Sequence, residues 1–223
     1  MTDNRKSGIA LIAGSIGGIV TMVIHPHGAA SAGPVTPEQV AHLVLTSGFA
    51  HSLALVSVLL LVLGAFGLTR RLAAADRLAF CGVVVYAFAA VAIMIAGAVS
   101  GFIVPGIMRH MVRDVASAAP QWHIAIDSIF QINQAFARIY SVAASVAVAL
   151  WSAAALRNGG IGRGIAIYGC IVAPVLVVGI CSGVLELNVH GMGLVALAQA
   201  IWFIGVGAQL CAMKAATGLA STP

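Results

Sequence analysis

Residues 40–68 read VAHLVLTSGFAHSLALVSVLLLVLGAFGL, with no Asp, Glu, Lys or Arg. A bilayer core is about 30 Å thick and a helix rises about 1.5 Å per residue, so roughly 20 such residues cross it. This run exceeds that need and predicts a helix that tilts or stands out of the membrane. Its surroundings are similar. The chain has 223 residues, is 61% hydrophobic and 8% charged, and has a mean hydropathy of +1.07. Soluble domains carry about 25% charged residues. Working outward, the same pattern predicts six spans at about 8–24, 40–68, 79–104, 122–156, 164–187 and 191–214. The connections are too short for a soluble domain, so residues 1–223 read as one all-α, six-helix transmembrane domain.

Lys and Arg give the orientation. Arg5, Lys6, Arg70, Arg71, Arg77, Arg157, Arg163 and Lys214 fall on one side, and only Arg109 and Arg113 on the other. Basic loops stay inside, which predicts cytoplasmic termini and a multi-pass protein of the inner (plasma) membrane. The pI of 9.4 records this bias. No basic stripe joins with aromatic residues, so nucleic acid is not an expected partner. Cys81, Cys170, Cys181 and Cys211 fall within spans and form no CxxC pair, which reads as apolar core.

The N-terminus has a basic start, an apolar stretch and Ala30-Ser31-Ala32, the outline of a signal peptide. Gly14, Gly17 and Gly18 weaken that apolar stretch, and Gly14 with Gly18 makes a GxxxG packing face. A retained first helix is therefore expected, closing at His25-Pro26-His27-Gly28. Thr36-Pro37-Glu38-Gln39 predicts the start of the second helix, with Thr36 as N-cap and Gln39 returning the bond. Pro105 is expected to end the third span. Ile107, Met108, Met111, Val112 and Val115, with Arg109, His110, Arg113 and Asp114 between them, predict a short amphipathic helix lying on the outer surface. Ser117 and Pro120 then open the fourth span. Gly82, Tyr86, Gly97, Ser100 and Gly101 match Gly164, Tyr168, Gly179, Ser182 and Gly183 at one constant offset, the pattern of a parallel repeat. The pairs Gly97/Gly101 and Gly179/Gly183 predict close helix contacts and give a face for a homo-oligomer.

All seven histidines map to the outer half, with Glu38, Asp114, Asp127 and Glu186. His110 and His123 read as interfacial side chains. The others converge on the mouth of the bundle: His25, His27, His42, Glu186 and His190 form an expected metal-binding ring, since imidazole and carboxylate are ordinary transition-metal ligands. His51, nine residues beyond His42, is about 13 Å further in and is expected within the hydrocarbon, where polar residues are functional by default. On the fourth span Asp127, Gln131, Gln134 and Arg138 fall four, three and four apart, and Ser141 and Ser145 continue the stripe. With Arg138 at the centre of the span, this stripe is expected to face the bundle interior. There it would line a pocket open to the outside with His51 and Gln199.

Three active functions follow. Binding of a copper or zinc ion, or of a haem-type cofactor, near the outer face fits the histidines best. A carrier or receptor for a polar or anionic solute is second. The third is a hydrolase: Ser47 and His51 stand one turn apart, with Asp127 available. This element resembles the Ser-x3-His element of the zinc-dependent ceramidase and progestin-receptor-like superfamily. That resemblance covers five residues and implies lipid-amide hydrolysis with Ser47 and His51 as catalytic groups. A ligand-free accessory subunit is the remaining alternative.

Overall fold

A computed structural model of the chain describes residues 3–25, 36–72, 76–113 and 119–213. Every regular element among them is helical: α1 (Asp3–Ile24), α2 (Pro37–Leu72), α3 (Arg77–Ala98), a π-helical turn (Val99–Ile103), α4 (Val104–Arg113), α5 (Ala119–Asn158), α6 (Arg163–Cys181) and α7 (Val189–Ala212). Six helices are long and apolar enough to cross a membrane, with α3, the π-turn and α4 up to Met111 counted as one. The protein is multi-pass. Ala30-Ser31-Ala32 and His27 lie outside the described residues.

Local signals explain most helix boundaries. At the start of α2 the Gln39 amide N–H donates to Thr36 Oγ1 at 3.3 Å, and the Thr36 N–H donates to Gln39 Oε1 at 3.0 Å. Two end groups are thereby satisfied reciprocally, as the sequence predicts. Asp76 caps α3 by accepting from Leu78 N at 2.9 Å.

Two boundaries differ from expectation. Pro105 does not end the third span. A proline inside a helix lacks an N–H and crowds the carbonyl four residues back. Here the turn just before it widens to π geometry, with Val104 N–H reaching Val99 O, and the chain runs on as α4. Residues 104–113 form α4, an amphipathic helix that runs on from the π-turn and packs against α2 and α5. The fifth span stops at Cys181 rather than 187. Gly183 adopts φ +76°, and Leu185 N–H closes back onto Gly179 O at 2.9 Å. A glycine in this conformation is a common helix stop. Gly183 thus stands past the helix end, and Gly179/Gly183 is not a helix-packing pair.

The helices form a ring, with α1 between α2 and α7, α2 beside α3, α3 along α5, and α5 along α6. Small residues allow the close approaches. A Cβ at Gly14 would stand 2.7 Å from Ser57 O, and one at Gly8 would stand 2.7 Å from Cys211 Sγ. Gly18 faces open space, so the partner of Gly14 in α1 packing is Gly17, against Ser57. Gly14 and Gly101 are occupied by neighbours within the chain. The ring's centre is aromatic. Tyr86, Trp151, Trp202 and Phe203 are all at most 1% exposed, and Trp151 stacks on Trp202 at 5.8 Å. Each indole donor is satisfied: Trp151 Nε1 by Thr69 Oγ1 at 3.0 Å and Trp202 Nε1 by Ser152 Oγ at 3.0 Å. Buried aromatic N–H groups usually require such partners.

Helix lengths are unequal, and that positions the polar residues. α6 has 19 residues, about 29 Å of rise, so it spans a hydrocarbon core and no more. α5 has 40 residues, about 60 Å. The close approach of Gly169 to Ser152 sets the antiparallel register of α5 and α6. Counted outward from there, Cys181 at the end of α6 comes level with Tyr140. The first half of α5 therefore stands beyond the end of α6, as does the start of α2 beyond the end of α1. Large apolar side chains, Leu45, Phe49, Ile124 and Phe130, stay exposed on this extension. At the opposite end Asp76 gathers Arg157 Nη1 at 3.6 Å and Asn158 Nδ2 at 3.0 Å.

Candidate functional site

The extension begins at a pair of histidines. His51 on α2 is 6% exposed. The ring of His25, at the end of α1, meets it edge-on, with centroids 5.1 Å apart and planes at 68°. Antiparallel pairing of Ser7 with Gly67, Leu11 with Gly64 and Gly17 with Ser57 carries up the two helices to this meeting. Space for the His51 ring comes from α3. A Cβ at Gly101 would collide with the Cβ and ring of His51.

Pro105 acts on the same site. Val104 N–H is already bonded to Val99 O, and position 105 has no N–H to offer the Ser100 carbonyl. Ser47 Oγ donates to that carbonyl at 3.1 Å. His51 Nδ1 lies 2.8 Å from the Ser47 backbone carbonyl and 3.3 Å from Ser47 Oγ. A carbonyl can only accept, so the network assigns the proton to Nδ1 and leaves the lone pair on Nε2.

This arrangement changes the hydrolase reading. A general base must face its nucleophile with a lone pair. The nitrogen of His51 nearest Ser47 carries a proton instead, and the Ser47 hydroxyl is committed to Ser100. Asp127 is exposed on the extension of α5. The Ser47 hydroxyl and the near nitrogen of His51 are thus both engaged with backbone carbonyls, and Asp127 stands apart from them on α5.

Of the expected five-ligand ring, His27 lies outside the described residues, and His25, His42, Glu186 and His190 form no common cluster. Among the described residues no group of three or more His, Cys, Asp or Glu stands close enough to hold a metal ion. His42 is exposed in the second turn of α2, and Glu186 and His190 are exposed in and just after the turn between α6 and α7. Glu186 leaves the helix because α6 stops at Cys181; its carboxylate meets Asn188 Nδ2 at 3.5 Å. Asn188 caps α7 through Gly191 N at 3.0 Å.

The His25–His51 spacing does suit an ion. A nitrogen-bound ion at about 2.0–2.1 Å is about 3.2 Å from the ring centroid, so two imidazoles at a tetrahedral angle have centroids about 5.2 Å apart. Axial ligands on opposite faces of a haem would be about 6.3 Å apart, with the macrocycle between them. The 5.1 Å separation is close to the first value and shorter than the second.

The α5 stripe divides between two environments. Ser141 and Ser145 turn inward and are at most 1% exposed. Gln199 joins them, with Nε2 donating to Ser145 Oγ at 3.2 Å and Oε1 accepting from Tyr140 OH at 3.2 Å. This is polar glue between α5 and α7, apart from the outer residues. Gln131, Gln134 and Arg138 line an open groove of about 610 Å³ on the outside of the bundle, with Phe88, Ile139 and Val142 among its walls. Arg138 is exposed rather than interior. It stands just past the level at which α6 ends, because α5 overshoots α6 by about half its length. Asn133, which flanks the stripe, has a buried Oδ1 with no hydrogen-bond partner among the described residues. His51, Asp127 and Gln199 do not line the groove, so the single expected pocket is two places.

No family model matches the chain, and no match is found among curated proteins or solved structures. The side chains themselves carry the functional reading. Sequence reasoning missed Ser100, Gly101 and Pro105 as supports of His51, and Phe88 as a wall of the groove. The signal was present in the run Ser100-Gly101 four residues before Pro105.

Proposed function

We propose that this protein binds a transition-metal ion, copper or zinc, through His25 and His51 near the outer face of the inner (plasma) membrane, with both termini cytoplasmic. The observation that carries this reading is the pair of imidazoles 5.1 Å apart, one of them buried. Metal-binding histidines almost always donate their other ring N–H to a carbonyl, carboxylate or water, which fixes the tautomer. The His51–Ser47 bond is of that kind. Two imidazoles leave positions for water or a further ligand, the pattern of an open site rather than a closed structural one. A metal ion fits this pair better than haem does. The orientation is supported by Arg70, Arg71, Arg77, Arg157 and Arg163, which share the end opposite the histidines.

The test is metal content and titration of the purified protein with Cu(II), Zn(II) and Co(II). Wild type is expected to hold one equivalent, and His51→Ala or His25→Ala to weaken binding by more than about tenfold, or 1.4 kcal/mol. Equal binding by wild type and the double variant would exclude this pair as the site.

A further inference from the structure

Arg138 forms no ion pair among the described residues. The acid on its own stripe, Asp127, is about 16 Å up the helix by rise. A guanidinium without a counter-charge is costly in hydrocarbon, and near the membrane edge its long side chain reaches toward the headgroups. Its level follows from the register with α6. Cys181, the last residue of α6, is level with Tyr140, so Arg138 stands just beyond the end of α6; a 19-residue helix just matches a hydrocarbon core, which puts this level at the headgroups. Gln131 and Gln134 lie above it in the same groove, and Ile139, Val142 and Phe88 below. The groove opens sideways: Phe88 is 64% exposed and Ile139 38%.

We infer that this groove seats an anionic phospholipid, its phosphate on Arg138 and the amides of Gln131 and Gln134, and an acyl chain over Ile139, Val142 and Phe88. Guanidinium groups pair with phosphate through parallel N–H bonds. Long basic side chains at the membrane edge reach for the headgroup layer. The apolar lower half decides among anions, because a water-soluble one would leave it empty. This occupant is independent of any ion at His25 and His51.

The experiment is reconstitution in nanodiscs of phosphatidylcholine with a minor fraction of phosphatidylglycerol, followed by detergent extraction and lipid mass spectrometry. Wild type is expected to retain phosphatidylglycerol roughly tenfold above Arg138→Gln. Ala135→Trp, which fills the groove from an exposed position and keeps the charge, is expected to lose it as well. Arg70→Gln at the opposite end is expected to retain it. Size-exclusion profiles and tryptophan fluorescence check that each variant folds. Equal retention by wild type and Arg138→Gln would overturn the inference. So would loss in Arg70→Gln of the same size, which would mark a general charge effect. Inorganic phosphate binding at Arg138 in lipid-free detergent, with no advantage for phosphatidylglycerol, would identify a free-anion site instead. A co-purifying protein released by Arg138→Gln would identify a protein partner.

Discussion

At position 101 the space that a side chain would need is filled by the Cβ and ring of His51. The neighbour is the base of a buried side chain on another helix, so it cannot swing aside. Gly101→Ala is therefore expected to lower stability by about 1–3 kcal/mol, the usual cost of overpacking. A reduced unfolding temperature in detergent would show it; an unchanged one would mean that α2 and α3 separate freely there. The histidines, Gly101 and Pro105 were all visible as letters. Their connection was not, because it passes through a backbone carbonyl. Pro105 withholds a donor, Ser47 supplies one to Ser100, and the Ser47 carbonyl then holds His51.

Single helices were more legible, since caps and stops act within a few residues. The capping box at Thr36 and Gln39 was readable for that reason. Thr36→Ala is expected to cost about 1 kcal/mol, read as faster hydrogen exchange in the first turn of α2 and slightly lower thermal stability. Unchanged exchange there would show that the cap does not close. Misreadings arose where a local signal had two outcomes. A proline after a glycine ends one helix and widens another, and the packing of α4 against α2 and α5 favours continuation. Gly183 was counted as a helix contact from its spacing, whereas its positive φ makes it a stop.

The whole molecule is a ring around Trp151 and Trp202, with three helices extended at one end and basic residues at the other. Orientation is tested at this scale. In a cysteine-free background Gly164→Cys, at an open position in the first turn of α6, is expected to react with an impermeant maleimide only from the cytoplasmic side. Glu38→Cys, exposed before α2 enters the ring, is expected to react only from outside. The reverse labelling would invert the positive-inside assignment.

The sequence by itself determined that the chain crosses a membrane on six helices, and where most of them begin. Transfer of apolar side chains and satisfaction of helix ends depend on residues close together in the chain. Only the tertiary structure decided which polar groups meet. His51 found His25 and not His190. The α5 stripe split into an interior hydrogen-bond network and an outer groove. Arg138 came level with the end of α6, on the outside of the bundle. A helix's length is written in its own residues, but its depth is set by the register with its neighbours, and here the short α6 fixed the depth of the long α5.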